Sequence, residues 1–193
     1  RDFLHKRGIR VPRDLFDHLP QGNSFIQTAQ YFKERFSLPE SAESIMEEWT
    51  EMVSWHYGND VRLKPGAKRV VEKLNSLGVG IGLGTSNSYE LAQKVLSQNG
   101  IWDYFQAVAT GDMNLLGKPF PDIYLKVAAD FALEPNDCAV VEDTLSGVQA
   151  AKAAGMTTIA IYDPDSLEQH PQIKALADAF VQNFNELSEL LEI

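Results

Sequence analysis

Apolar residues in the first third of the chain recur only at the spacing of an α-helix. Those between positions 26 and 36 mark one face of an amphipathic helix, for which Asn23 or Ser24 is the expected N-cap. Those between 45 and 56, rich in aromatic and Met residues, mark a second helix. Residues 1 to about 62 are therefore expected to form a small helical bundle.

After residue 64, short apolar runs alternate with helical spacing. The predicted helices cover residues 65–77, 89–98, 122–131 and 145–154, followed by a last Leu-rich helix, and the predicted strands cover 79–84, 106–110, 138–141, 157–162 and an edge strand at 179–181. Strands that alternate with helices in this way form a parallel sheet covered on both faces. The pattern predicts an α/β fold: a Rossmann-like core over residues 63–193, a small helical domain over 1–62, and a hinge near 60–65.

Charge and composition exclude some partners. The chain has 193 residues, 44% of them hydrophobic, which suffices for one sizeable core and a smaller appendage. Its 17 Lys and Arg residues against 27 Asp and Glu residues leave a formal net charge of -10. Nucleic acid and an anionic membrane surface are not expected as partners, because both would be repelled at long range. The net negative charge is still compatible with an anionic small molecule as a ligand, because local hydrogen-bond donors or a bound cation can reverse the electrostatic potential inside one cleft.

The expected location is the cytoplasm. Cys138 is the only cysteine, so no internal disulfide forms and a reducing compartment is expected. No apolar stretch is long enough to span a bilayer, and the first residues have no signal-peptide pattern. We also expect a monomer. The chain begins at Arg1, and residues 1–8 are typical of a helix end closed by Gly8, so we expect that a preceding segment has been removed.

Polar motifs follow the predicted strands, at the edge of an open parallel sheet where ligands bind. Residues 85–88, with the sequence TSNS, offer a hydroxyl group and backbone N–H groups at the start of a helix, an arrangement that binds anions. Residues 117–122, with the sequence GKPFPD, place two prolines after Lys118 and stiffen the backbone there. A lysine held in this way can neutralise phosphate charge.

The third motif is the pair Glu142–Asp143, which follows the strand at 138–141. Two adjacent carboxylates at the end of a buried strand are costly unless a cation lies beside them. Alone, each motif is also typical of an ordinary feature: a helix cap, a structural turn or a solvated loop. Their order and their shared sheet edge favour a single site for phosphate and metal.

The same residues carry a resemblance to a known family. The order hhhhTS, GKPxPD and hhhhEDxxxGhxAAxxAG, where h is apolar, is similar to the second, third and fourth motifs of the haloacid dehalogenase superfamily. The similarity runs from Leu63 to Tyr162. The stretches LKPGAKRVVEKL and VEDTLSGVQAAKAAGMTTIAIY resemble its β-phosphoglucomutase-like branch, in which a small helical cap is inserted after the first strand. Residues 1–62 suit that cap in position and length.

The resemblance implies a Mg²⁺-dependent phosphohydrolase that acts on a small phosphorylated metabolite through an aspartyl-phosphate intermediate. Thr85 and Lys118 are the implied catalytic residues. The Thr85 hydroxyl, the Ser86 N–H and Asn87 would bind the phosphoryl group, and Lys118 would bridge that group and the nucleophile. The implied metal residues are Asp143, as a direct ligand of Mg²⁺, and Glu142, which would reach the ion directly or through water.

The family's first motif, hhhDxDGT, does not occur in these residues. It ends the first strand of the family and supplies the nucleophilic aspartate and the aspartate that handles the leaving-group proton. In the family this strand lies between those that end at Thr85 and at Asp143. Without it, two buried strands would keep unpaired backbone groups, at a cost on the order of 1 kcal/mol or more for each group. We therefore expect trimming or an unobserved strand rather than evolutionary loss.

Other functions stay open at this point. A sugar-phosphate mutase of the β-phosphoglucomutase type would need acid–base groups in the cap, for which His18 is a candidate. A non-catalytic phosphate-binding module would lack the nucleophile altogether. Two further enzyme classes are disfavoured, because dehalogenation has no use for the metal ligands Glu142 and Asp143, and a phosphonate hydrolase needs an activated lysine that Lys33 does not provide.

Substrate contacts are expected from the cap, which closes over the site in this architecture. Gly22, Asn23 and Ser24 are the candidates in the cap, and Arg62 and Lys64 are candidates in the hinge. An ordinary turn with solvated charges explains the same residues equally well.

Overall fold

The computed structural model describes residues 2–15 and 25–193 and begins with helices. The first three are α1 (Asp2–His5), α2 (Phe25–Arg35) and α3 (Ala42–Asn59). The helices predicted around 26–36 and 45–56 are confirmed as α2 and α3. Ser41 caps α3 by accepting a hydrogen bond from the Ser44 N–H at 3.1 Å, whereas the predicted caps of α2, Asn23 and Ser24, lie outside the described residues.

Aromatic packing and one arginine hold these helices together. The ring of Phe32 in α2 meets the ring of Trp49 in α3 edge-on, with centroids 5.0 Å apart. Just after α1, Arg7 forms ion pairs with Glu40 at 2.7 Å and with Glu48 at 2.5 Å. The buried residues of this part form their own hydrophobic cluster. The division of the chain into residues 1–62 and 63–193 stays a prediction.

Strands and helices then alternate to the end of the chain. The elements are α4 (Ala67–Ser76), β1 (Gly82–Gly84), α5 (Tyr89–Gln98), β2 (Ala107–Ala109), α6 (Asp122–Asp130), β3 (Ala139–Glu142), α7 (Leu145–Ala153), β4 (Thr157–Ile161), α8 (His170–Leu176), β5 (Ala179–Val181) and α9 (Phe184–Leu190). The predicted alternation is confirmed, and α8 is a helix that the apolar spacing did not indicate. The first strand is shorter than the predicted 79–84, because its pairing with β2 covers only Gly82 to Gly84.

The strand pairs within residues 2–15 and 25–193 are all parallel, as predicted, but they form two sheets instead of one. β1 pairs with β2, with Leu83 opposite Val108, and the second sheet has the order β3-β4-β5, with β5 at its edge. Within the described residues, no strand pairs with the other edge of β1 or of β3. Val141 in β3 is 40% exposed, a high value for an apolar residue in a parallel strand.

Glycines in β1 allow α6 to lie directly on the first sheet. A Cβ atom at Gly82 would come within 2.3 Å of Val127 in α6, and one at Gly84 would come within 3.0 Å of the Tyr124 ring. Glycine in a strand interior often marks such a close approach. The approach places Tyr124, which is 6% exposed, at the end of β1.

None of the helices within residues 2–15 and 25–193 is long and apolar enough to span a membrane.

Candidate active site

A buried lysine–carboxylate pair lies where β3 ends. The side chains of Lys118 and Glu142 are only 11% and 10% exposed, and the Lys118 ammonium donates a hydrogen bond to Glu142 Oε1. The Tyr124 hydroxyl donates to the same oxygen at 2.6 Å. Lys118 Nζ also lies 5.0 Å from the centroid of the Tyr124 ring, within the range of a cation–π interaction. Tyr124 thus contacts both members of the pair.

The second oxygen of Glu142 is bound to the loop that follows β3. Oε2 accepts from the Asp143 N–H at 3.0 Å, from the Thr144 N–H at 3.3 Å and from the Thr144 hydroxyl at 3.1 Å. Burial by itself would raise the pKa of Glu142, but the Lys118 ammonium and the hydrogen bonds bring that pKa below its usual range. Both oxygens of this carboxylate are therefore occupied by protein donors.

The first turn of α7 leaves room for this carboxylate because residue 147 is a glycine. Thr144 caps α7 by accepting from the Gly147 N–H at 3.1 Å, and a Cβ at Gly147 would lie 2.1 Å from the Glu142 carboxyl carbon. The glycine five positions after Glu142, which is part of the recognised motif, is explained by this contact.

The predicted phosphate loop follows β1. The Thr85 N–H donates to the Ala109 carbonyl at 3.0 Å and extends the pairing of β1 with β2 by one residue, while the Thr85 hydroxyl accepts from the Asn87 N–H at 3.2 Å. Ser88 begins α5 by accepting from the Leu91 N–H. Among the described residues, the Ser86 N–H has no hydrogen-bond acceptor, so it can bind an anion.

The loop after β2 crosses directly over this phosphate loop. The Gly111 N–H donates to the Asn87 carbonyl at 2.8 Å, and the Gly111 carbonyl accepts from the N–H of Phe25, the first residue of α2, at 3.0 Å. A small pocket beneath the crossing has these lining residues: Ser86, Thr110, Gly111, Met113, Leu115, Leu116, Gly117 and Ile123. Since Gly117 precedes Lys118, the pocket connects the phosphate loop with the lysine loop.

Replacing Gly111 with Ala is expected to destabilise the protein by about 3 kcal/mol, because the added Cβ would clash with backbone atoms, which cannot move aside as a flexible side chain can. The new Cβ would lie 2.0 Å from the Ser86 carbonyl oxygen. Urea denaturation gives the free energy of unfolding. Gly78→Ala is the control, because Gly78 has a φ of +74° but no atom within 4 Å of its added Cβ, so only about 1 kcal/mol of backbone strain is expected there. Equal losses in the two variants would contradict the tight crossing.

Asp143 is engaged by a second lysine. The Lys64 ammonium lies 2.7 Å from Asp143 Oδ2 and 2.6 Å from Asp163 Oδ2. Burial lowers the pKa of Lys64, but the hydrogen bonds with Asp143 and Asp163 outweigh it and raise that pKa above its usual range. The hydrogen bond with Lys64 lowers the pKa of Asp163. Lys64 belongs to the linker between α3 and α4.

The helical part of the chain reaches this site through α3. The Asn87 side chain donates to the Tyr57 hydroxyl at 3.3 Å, and Lys94 in α5 donates to the Ser54 hydroxyl. The predicted cap residues Gly22, Asn23 and Ser24, and also His18, lie outside the described residues. Arg62 is exposed.

The structure brings some of the predicted residues together and leaves others apart. Lys118 and Glu142 are in direct contact, Asp143 is adjacent, and Ser86 shares a pocket with the lysine loop. Direct contact between the Thr85 hydroxyl and Lys118 or Glu142 does not occur within the part of the chain described. The roles of Thr85, Ser86, Asn87, Lys118, Glu142 and Asp143 stay predictions.

Sequence reasoning missed Tyr124 and Asp163. Asp163 follows the apolar run 157–162, so the rule that weights residues after each strand could have found it. Tyr124 lies inside a helix, where nothing in the apolar spacing separates it from an ordinary packing residue. Its contact with Glu142 joins residues 18 positions apart and depends on how α6 packs on β1.

The residues present fit a magnesium ion in part. Mg²⁺ binds oxygen ligands and takes one or two carboxylates together with waters and substrate phosphate. The Asp143 side chain is 35% exposed and offers such a carboxylate, whereas both Glu142 oxygens are taken. Across residues 2–15 and 25–193, no group of three or more His, Cys, Asp or Glu side chains is placed to hold a metal ion.

These features define an α/β protein whose parallel strands are followed by a loop with a Ser86 N–H that is free among the described residues, a fixed lysine and a carboxylate pair. Residues 17–161 match the family described as haloacid dehalogenase-like hydrolase. The chain belongs to this family, and the resemblance seen in its motifs is confirmed.

Relatives of this chain include a phosphatase and a mutase. The chain is 31% identical over 126 residues to hexitol phosphatase B of Escherichia coli (strain K12), covering 65% of this chain and 56% of that protein. It is 37% identical over 99 residues to beta-phosphoglucomutase of Bacillus subtilis (strain 168), covering 51% and 43%. The chain thus spans about half the length of these curated relatives.

Solved structures agree on the fold. CbbY from Rhodobacter sphaeroides, in complex with phosphate, superposes with a TM-score of 0.82 over 96% of this chain and 85% of that one. The two sequences are 22% identical, so this likeness concerns the fold.

Proposed function

We propose that this protein is a Mg²⁺-dependent phosphohydrolase of a small phosphorylated metabolite. The observation that carries the proposal is the fixed Lys118 ammonium. It is 11% exposed, bound to Glu142 and stacked on Tyr124, and it lies at the strand ends beside the loop that contains Ser86. A preorganised positive charge of this kind stabilises the charge that develops on a phosphoryl group during transfer.

In the proposed reaction, the two aspartates, the phosphate loop and Lys118 have different roles. A nucleophilic aspartate oxygen attacks phosphorus, the bond from phosphorus to the metabolite's oxygen breaks, and a second aspartate protonates the leaving oxygen. Water then attacks the aspartyl-phosphate and releases inorganic phosphate. Ser86 N–H and the Thr85 hydroxyl bind the phosphoryl oxygens, and Lys118 neutralises charge between that group and the nucleophile.

Both aspartates lie, in this proposal, on a strand that is not among these residues. The support is the unpaired edges of β1 and β3, because a parallel strand placed between them would join the two sheets into one. Its carboxyl end would then point toward the loops that contain Thr85 and Asp143.

Asp143 is the residue proposed to hold Mg²⁺. When bound, the ion supplies positive charge that offsets the charge on the phosphate. Glu142 would act through Lys118, since its own oxygens are occupied.

A sugar-phosphate mutase is the second candidate. It is favoured by the 37% identity to the Bacillus subtilis protein named beta-phosphoglucomutase. In a mutase, the phosphoryl group of the enzyme passes to a second hydroxyl of the sugar instead of to water.

A panel of phosphorylated metabolites, offered to the intact protein with Mg²⁺, tests both candidates. The hydrolase predicts release of inorganic phosphate from at least one sugar or polyol phosphate. Isomerised sugar phosphate without release of inorganic phosphate would identify the mutase. If neither product forms, although the protein binds phosphate, the enzyme proposal is wrong and a binding module remains.

The cytoplasmic location and the monomeric state also stay predictions.

A further inference from the structure

Lys64 holds the carboxylate that the proposed function assigns to the metal. Its ammonium lies 2.7 Å from Asp143 Oδ2, and the side chains of Lys64 and Asp143 are 39% and 35% exposed. The contact joins residues 79 positions apart, so tertiary packing brings the two together.

The backbone keeps Lys64 at this position. Pro65 restricts the residue before it to extended conformations, and the Lys64 carbonyl accepts from the Ala67 N–H, the first residue of α4, at 3.1 Å. Gly66, with a φ of +87°, makes the turn between them. The backbone of Lys64 is therefore fixed where its side chain can reach both Asp143 and Asp163.

A lysine and a divalent cation bound to the same Asp143 carboxylate repel each other. A Mg²⁺ ion bonded to a carboxylate oxygen sits about 2.1 Å from it, so an ammonium on the same carboxylate would remain only a few ångströms away from the ion. Repulsion between the two positive groups at such a separation is substantial in a half-exposed site.

Asp163 is a second ion-pair partner for the Lys64 ammonium. Its Oδ2 lies 2.6 Å from Lys64 Nζ, and its side chain is 19% exposed. The Asp163 side chain is fixed from the other side, because Oδ1 accepts from the Asp165 N–H at 2.8 Å. A small rotation of the Lys64 side chain would keep the bond with Asp163 and release Asp143.

We propose that Lys64 is a positioning residue that competes with the divalent cation for Asp143, and that Asp163 holds the ammonium when the cation binds. This inference rests on the proposed metal role of Asp143. It predicts opposite effects of two substitutions on the same affinity. Without the lysine charge the cation binds more tightly, and without the Asp163 charge the lysine stays on Asp143 and the cation binds more weakly.

The test measures Mn²⁺ binding by the metal-free protein, through the loss of the electron paramagnetic resonance signal of free Mn²⁺. Lys64→Met keeps the side-chain length without the charge and is expected to lower the Mn²⁺ dissociation constant about tenfold, the scale set by one unit charge beside a half-exposed carboxylate. Asp163→Asn keeps the acceptor for Asp165 and is expected to raise the dissociation constant several-fold.

The matched controls separate this inference from general charge effects. Lys68→Met removes a lysine that is 50% exposed in α4 and lies 4.0 Å from Glu72, and it is expected to leave Mn²⁺ affinity unchanged. Lys64→Arg keeps the charge and is expected to resemble the wild type. Thermal melting without metal shows that each variant is folded.

The Asp143→Asn variant distinguishes failure of the proposed competition from failure of the proposed metal role of Asp143. If it loses Mn²⁺ binding while Lys64→Met binds no more tightly than Lys68→Met, the competition is overturned and the metal role of Asp143 survives. If Asp143→Asn binds Mn²⁺ like the wild type, the metal role is overturned and the competition with it.

Discussion

Asp143→Asn is expected to lower Mg²⁺-dependent turnover of an aryl phosphate by the intact protein by about 10²- to 10³-fold, the size typical of losing one preorganised charge interaction at a reacting centre. The variant keeps the size and one acceptor oxygen of the side chain but loses the charge that attracts the ion. Because Asp143 is 35% exposed and not part of the core, the free energy of unfolding should change little. Initial rates over a range of Mg²⁺ concentrations measure the effect.

Asp137→Asn is the matched control, since this exposed aspartate lies just before β3, at the opposite end of the strand from Asp143. Its rates should equal those of the wild type. Unchanged turnover of Asp143→Asn at both limiting and saturating Mg²⁺ would remove Asp143 from the metal site.

Glu142→Ala is expected to produce the largest loss of stability, about 3–5 kcal/mol, because it leaves a buried ammonium without its counter-charge. Lys118 is 11% exposed, and Glu142 is its ion-pair partner. The Tyr124 hydroxyl would lose its acceptor as well. Urea denaturation at neutral pH provides the free energy of unfolding.

A double-mutant cycle isolates the ion pair. Lys118→Met combined with Glu142→Gln removes both charges, so the double variant should be more stable than the sum of the single losses predicts. Strict additivity would mean that the two charges do not interact, contrary to their contact.

Acid unfolding gives an independent check of the same carboxylate. Since Lys118 and the other donors bring the pKa of Glu142 below its ordinary value of 4.5, the folded state favours the ionised form. Its contribution to stability is complete above pH 4.5 and is lost as the pH falls through the lower folded-state pKa. Glu142→Gln should therefore lose less stability than the wild type between neutral and acidic pH.

The positions of the motifs could be predicted from the sequence because the ends of parallel strands share one edge. That rule, applied to the apolar run before Glu142, identified a carboxylate that is in direct contact with Lys118. The bounds of α5 were also predicted correctly, since Ser88 and Gly100 stand at its two ends and both favour a helix boundary.

The partners of these residues could not be predicted in the same way. Glu142 was expected to reach the metal directly or through water, which stays a prediction; its contacts with Lys118, Tyr124 and the next loop, and that of Asp143 with Lys64, were not expected. Such pairs depend on packing between elements that are far apart in the chain, and this packing cannot be predicted from residue spacing. Among the described residues, β1 and β3 each keep one edge without a partner strand, and a central strand between them stays a prediction.

Gly111 is hydrogen-bonded on both sides. Its carbonyl accepts from the Phe25 N–H in α2, and its own N–H donates to the Asn87 carbonyl. Swinging the first turn of α2 outward would break the bond from Phe25 next to the loop formed by residues 85–88. If residues 85–88 bind phosphate as proposed, entry of a metabolite and loosening of its phosphate site would then be coupled, because both depend on the same Gly111 peptide.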